Sequence, residues 1–311
     1  MAPPAPAAAA ASPPALAGAG AASDEEKRKA VAMFKQSWEV YTKVVEADHM
    51  SHAVLYDALA ADMLGRHASR GGFSLVDLGC GGADALAAMF RRAPPALAAG
   101  VRSYTGVDLS DVALAHARAN LLGGPVGGGF PDVRASAPEA GVLPSLSADA
   151  RFEEADMVSF AESLPENSAD VVLAAFALHH LTPAQKDAVL RAAARALKKP
   201  GGTFYYLDVW MEAGGEGGGW GARGPSDGPA AAAADEEEVT REAYLARYKA
   251  LMDGWPTLGA AEAAFVWDHV SAYDFPARER EVGATPHFGR AEVVARGGWP
   301  HALMRLTGPR A

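Results

Sequence analysis

The chain has 311 residues, half of them apolar, with 28 Lys and Arg against 38 Asp and Glu and a formal net charge of -10. That balance argues against a nucleic-acid binder, which needs a basic footprint, and it suits a protein handling small molecules or basic partners. One cysteine, Cys80, excludes intrachain disulfides and a cysteine-built zinc site, and no charge-free apolar run reaches the roughly 20 residues of a membrane helix.

The first 23 residues, MAPPAPAAAAASPPALAGAGAAS, carry no charged side chain. They lack the basic start of a secretory signal and the arginines of a transit peptide. Residues 1–27 therefore read as a disordered Ala/Pro tail, with an atypical organelle signal as the alternative. Residues 28–70 read as a helical lid. Val31, Phe34, Trp38, Tyr41 and Val45 recur at helical steps, and Ser51 to Arg66 makes a second helix. Between them Asp48, His49 and His52 have His-x-x-His spacing, but no carboxylate–histidine partner set is evident, so no metal is expected there.

From residue 71 the pattern alternates. Phe73 to Leu78 is a buried strand, Asp84 to Arg92 a helix, Ser103 to Leu109 a second strand and Asp111 to Leu122 a second helix. Gly123 to Asp149, rich in Gly, Pro and Ser, reads as a loop insertion. Arg151 to Ala155 and Asp170 to Phe176 are further strands. Thr182, Pro183 and Gln185 begin a capped helix that Pro200-Gly201-Gly202 ends. Thr203 to Val209 is another strand, and the alternation implies a parallel sheet with right-handed crossovers. The low-complexity stretch at 211–236 reads as a flexible insertion, the stretch at 237–276 as a helical one, and 287–307 as a closing antiparallel hairpin around Gly297-Gly298.

VDLGCGGAD places Gly79, Cys80, Gly81 and Gly82 between a strand and a helix, where a backbone turn can approach a nucleotide closely. A plain tight turn is the alternative. The dinucleotide pattern wants a third glycine where Asp84 stands, and a carboxylate there would face a pyrophosphate unfavourably. A ligand without pyrophosphate fits better. Asp108, at the end of the second strand, can accept ribose hydroxyls; a strand-end residue or a helix cap is the other reading of it.

These motifs, with EADM at 154–157, LPENSADVVLAAFALHHL at 164–181 and LKKPGGTFYYLD at 197–208, resemble in order those of class I S-adenosylmethionine-dependent methyltransferases. DHMSH at 48–52 and DFP at 274–276 resemble more loosely the lids of small members. The resemblance implies a Rossmann-like, doubly wound α/β sheet of seven strands with a reversed C-terminal hairpin, plus N-terminal and inserted helices. It implies S-adenosylmethionine as cofactor. The Gly79, Cys80, Gly81 and Gly82 turn would lie against its methionine part and Asp77 near its amino group. Asp108 would hold the ribose and Asp156 and Met157 the adenine, with Leu109 and Phe176 also among the cofactor-binding residues. One departure stands out. Only a short segment separates DFP from the final strands, where the family usually has a longer helix, so one face of the sheet is expected to be more exposed.

Candidate catalytic residues are His179 and His180, after the fourth strand, and Asp208, at the end of the fifth, because ligands sit at that end of a parallel sheet. Local packing and capping are the alternatives for the histidines. Tyr205, Tyr206, Trp210 and Tyr244 are core residues or pocket walls. The expected acceptor is a small molecule methylated on O, N or C. No nucleic-acid or membrane partner is expected, the place of action reads as cytoplasmic, and the oligomeric state is open. A protein acceptor, a cofactor-binding protein without turnover, and a nicotinamide oxidoreductase disfavoured by Asp84 are the competing readings.

Overall fold

A computed structural model describes residues 40–123, 141–143, 146, 149–211 and 239–310. The Ala/Pro tail, the start of the lid, most of the 123–149 insertion and all of the 211–236 insertion except Met211 lie outside the described residues.

After a helical stretch at 40–46 come α1 (His52–Arg66), β1 (Phe73–Leu78), α2 (Asp84–Arg92), α3 (Pro95–Gly100), β2 (Val101–Asp108) and α4 (Asp111–Leu122). β3 (Ala150–Glu154), α5 (Met157–Ser163), β4 (Val171–Ala175), α6 (Pro183–Ala196) and β5 (Thr203–Val209) complete the alternating core. The chain ends with α7 (Arg241–Asp253), α8 (Ala260–Tyr273), the short α9 (Glu279–Gly283), β6 (Phe288–Arg296) and β7 (His301–Pro309). Among the described residues the strands form a seven-stranded sheet in the order β3-β2-β1-β4-β5-β7-β6. The first five are parallel, and β7 runs antiparallel to both β5 and β6.

Period-2 alternation assigns the strand residues to two cores. Phe73, Leu75, Tyr104, Leu173, Tyr205, Leu207 and Leu303 face one side, where Leu55, Leu59 and Met63 of α1 and Leu86 and Met89 of α2 cover them. Val76, Leu78, Val107, Val172, Phe204, Tyr206 and Met304 face the other, under Val189, Leu190 and Ala193 of α6. β5 is buried along its whole length. Its central position, with neighbours on both edges and helices on both faces, makes the run TFYYLDV nearly continuous in apolar residues.

The predicted bounds of the core elements hold to within a few residues. Two stretches differ. Pro94 to Gly100, between the helix and the strand the sequence predicts, contains α3, opened by Pro95 in the first turn. The segment after Asp274 does contain only the five-residue α9, yet Ala277 and Val282 pack with Trp210, Met304 and Leu306, all buried, so the sheet face there is covered.

A third cluster sits beyond the carboxyl ends of the parallel strands. Val44 of the N-terminal helical stretch, Tyr244, Tyr248 and Met252 of α7, Trp255 and Val270 of α8 are buried together, with Trp299 of the β6–β7 turn against them. The DHMSH segment joins these parts. His49 stacks on Trp255 at 4.7 Å, and the Gly298 amide donates to Ser51 Oγ at 2.9 Å. Helical insertion, N-terminal stretch and hairpin turn thus form one roof.

Candidate active site

The glycine turn is built by β1 and β2 together. The amides of Gly79 and Cys80 both donate to the Val107 carbonyl, at 2.8 and 2.9 Å, and the Gly81 amide donates to Asp108 Oδ2 at 2.9 Å. Three successive amides are therefore spent on the fold, and they form no phosphate nest. Gly79 lies at φ 71, and a Cβ there would stand 2.5 Å from Ala177 Cβ and 3.2 Å from Met157 Cε. Only glycine lets β1, the β4 end and α5 close on one point. Gly81 lies at φ 51, and a Cβ there would meet nothing within 4 Å. The turn is closed on one side and open on the other. Asn120 secures its exit by donating to the Gly82 carbonyl at 2.8 Å and to Asp84 Oδ1 at 3.1 Å.

Carboxylates ring the open side. Asp77 is 3% exposed, and Tyr104 Oη donates to its Oδ2 at 3.0 Å. Burial pushes its pKa from 3.8 up to about 7, against the Tyr104 hydrogen bond and with the help of the Asp108 charge. Asp108 Oδ1 also accepts from the Ser110 amide at 3.0 Å, and the Leu109 amide adds a further bond, which leaves part of the carboxylate's acceptor capacity open. Burial raises its pKa, and these backbone bonds oppose the rise. Leu109 is half-buried beside it. Asp156 caps α5 by accepting from the Ser159 amide at 2.9 Å, which leaves its other oxygen available, and Met157 follows against the turn. Cys80 is buried, and burial pushes its thiol well above the ordinary range, which keeps it protonated.

A second group gathers at the ends of β4 and β5. Asp208, fully buried, accepts through its carboxylate oxygens from His179 Nδ1 at 2.5 Å and from the amides of His179 and Val209 at 3.1 and 2.8 Å. Burial would lower the His179 pKa, but Asp208 and then Asp274 overcome it and hold it at about 9. Asp274, delivered by the segment after α8, is 4% exposed, and burial pushes it up to about 6. His180 stacks edge-on against His179 at 4.0 Å, and the His269 ring lies 5.1 Å from it. Lys186 is buried, and its ammonium donates to the Leu181 carbonyl and, at 2.5 Å, to that of Phe275, pinning the Asp274 segment to α6.

Phe176 directly follows β4, and its amide donates to the Leu207 carbonyl of β5 at 2.7 Å. Its φ of 50 is unusual for an aromatic residue, and its ring packs on His52 at 4.8 Å and His301 at 5.9 Å. Both histidines are buried, and burial lowers them to about 4 and about 3. His52 from α1 thus joins the site, while His49 points to the roof. Tyr205, Tyr206, Trp210 and Tyr244 are fully buried core residues.

The structure brings Asp77, Gly79, Cys80, Gly81, Gly82 and Asp108 together, adds Met157, and separately joins His179, His180 and Asp208. Sequence reading missed Tyr104, His301 and the part played by Asp274. Tyr104 had a signal, since it lies four residues before Asp108 on the same strand. Asp274 and His301 come from distant segments that only the tertiary fold places here.

The sheet order with its reversed last strands is that of a Rossmann-like α/β domain, with the glycine turn at the carboxyl end of β1. Residues 76–204 match the family model described as a methyltransferase domain. Among solved structures, mitomycin 7-O-methyltransferase shares 17% identity over 92% of this chain and 60% of its own, with a TM-score of 0.50. An S-adenosylmethionine-dependent methyltransferase from Mesorhizobium loti shares 25% over 49% of this chain and 53% of its own, with a TM-score of 0.32. A [4+2]-cyclase, SpnF, shares 24% over 52% and 48%, with a TM-score of 0.34. The chain spans about half to three fifths of the length of these structures. No curated protein matches the sequence. Residues 76–204 carry a methyltransferase domain, with S-adenosylmethionine as the methyl donor. The residues fit it: the space beside Gly81 is open, and Asp108, Asp156 and Asp77 each have acceptor capacity in reserve.

Proposed function

We propose that the protein transfers a methyl group from S-adenosylmethionine to a small-molecule acceptor, on O, N or C, in the cytoplasm. The observation that carries the reading is the roofed site: His179, Asp208 and Asp274 are all buried beneath α7 and α8 at the carboxyl end of the sheet. Such an enclosure suits a compact acceptor better than a polypeptide, and the net charge of -10 opposes a nucleic acid.

The cofactor supplies an electrophilic methyl group on a sulfonium. The chain's residues bind and orient it. Asp108 accepts the ribose hydroxyls, Asp77 receives the amino group, Asp156 and Met157 take the adenine, and the backbone at Gly79, Cys80, Gly81 and Gly82 lines the methionine part, next to Leu109 and Phe176. Roof and sheet exclude water and fix the acceptor, and such positioning supplies a large part of the acceleration. His179 and His180 are the groups placed to meet the acceptor. Asp208 is spent on three hydrogen bonds and acts as a positioning residue that sets the His179 ring.

The test is a methyl-transfer screen of a metabolite extract with labelled S-adenosylmethionine. Label in small molecules supports the reading. Label only in protein points to a protein acceptor, and no transfer by a sample that binds the cofactor points to a protein without turnover.

A further inference from the structure

The Asp274 side chain is buried, and its Oδ1 has no hydrogen-bond partner. A buried carboxylate oxygen without a donor is costly. Two histidine nitrogens face it, His179 Nε2 at 3.8 Å and His180 Nδ1 at 3.6 Å. Both separations exceed hydrogen-bond length, so a ring proton on either does not satisfy the oxygen. The tautomer of His179 sharpens the point. Its Nδ1–H donates to Asp208, which leaves Nε2 facing Asp274 as the nitrogen a cation would take in exchange for its proton.

One ligand atom from each of His179, His180 and Asp274 can lie within 4.8 Å of the others, and this is the only such His/Cys/Asp/Glu group among the described residues. A cation bound at about 2.0–2.2 Å from each atom would hold them roughly 3.0–3.5 Å apart, a contraction of a few tenths of an ångström for the two measured pairs. Two histidines and one carboxylate are a donor set for first-row divalent metals, and they leave coordination positions open. The carboxylate behind His179 is the partner that metal-binding histidines ordinarily have. The neighbouring cations are turned to carbonyls, Lys186 to those of Leu181 and Phe275 and Arg241 to those of Ser271 and Asp274. Asp208 and Asp274 together balance a double positive charge.

We propose that His179, His180 and Asp274 form a binding site for a divalent first-row transition cation, with Asp208 orienting His179. The site adjoins the acceptor end of the proposed reaction, but metal binding can be read without cofactor or acceptor, so it stands or falls apart from that reading.

The full-length chain, stripped with chelator, is titrated with Co2+ while d–d absorption is followed, and with Zn2+ by calorimetry. One equivalent should bind, with an absorption showing nitrogen ligation. Asp274→Asn should lower the affinity at least about 100-fold, and Asp208→Asn about 10- to 100-fold through a misoriented His179. Each variant should keep its circular dichroism and its S-adenosylmethionine affinity. Should Asp274→Asn not fold, His180→Gln, whose side chain is partly exposed, replaces it with the same expectation. No stoichiometric binding, or binding unchanged in these variants, overturns the proposal.

Discussion

Asp77 offers a quantitative test of the cofactor site. Burial moves its pKa to about 7, so near neutrality about half the free protein carries a neutral carboxyl there. The amino group of S-adenosylmethionine is an ammonium at this pH and favours the ionised form. Binding must then draw the proton off, and affinity rises with pH through about 7. The ionised fraction grows from about 3% at pH 5.5 to about 50% at pH 7, a gain in affinity of about 16-fold. The assay is calorimetry over this range in two buffers of different ionisation enthalpy. Close to one proton should leave per cofactor at pH 5.5 and about half a proton at pH 7. Asp77→Asn should bind weakly with a flat profile. Tyr104→Phe, which removes the hydrogen bond that favours the carboxylate, should shift the profile to higher pH. A flat wild-type profile, or the same slope in Asp77→Asn, would refute the reasoning.

Asp108→Ala removes an acceptor of charge-assisted bonds and strands the Gly81 and Ser110 amides, so cofactor affinity should fall by more than about 1 kcal/mol; wild-type affinity by calorimetry would remove Asp108 from the site. Gly79→Ala drives a methyl into Ala177 at a left-handed φ, and both the melting temperature and cofactor binding should drop, which a thermal-shift series with and without S-adenosylmethionine reads. Thr182→Ala deletes the capping box of α6 and should cost about 1 kcal/mol in urea unfolding with an unchanged m-value. At the opposite end of the sheet, Asp170 accepts from Ser74 and pairs with Lys198 and Arg102. Burial would raise it, but these partners prevail and hold it below 3.8, so its stabilisation is full above that value and is lost as pH falls through the depressed one. Asp170→Asn should lower stability at pH 7 and flatten the acid limb of a melting-temperature profile.

Much of the core was legible because its signals are local. Strand and helix periodicity marked β1 to β5, and the α6 cap, box and proline were readable letter by letter. The cofactor residues were legible because strand ends and the turns after them are contiguous in sequence. The Asp208–His179 pair was legible as a place but not as a bond, since 29 residues separate two side chains whose orientation depends on β4 lying beside β5. The roof was the least legible. Val44, Tyr244, Trp255 and Trp299 come from three segments whose periodicities are weak, and the Asp274 carboxylate was hidden among acids that alternate with basic residues. The turn amides show the limit of motif reasoning. A glycine-rich turn suggests a close backbone approach to a ligand, whereas Val107 and Asp108 take its amides and leave only the surface beside Gly81 for it.

Lys186 carries one more consequence. It ties the core helix α6 to the Phe275 carbonyl, and so the core to a segment that lies outside residues 76–204. The Phe275 amide answers by donating to the His179 carbonyl at 2.6 Å, so this later segment is tied to the end of the parallel sheet from both sides. On the proposed function, exchange of the 239–278 stretch between related chains should change the acceptor while the affinity for S-adenosylmethionine stays the same, which makes that stretch the natural unit for re-targeting.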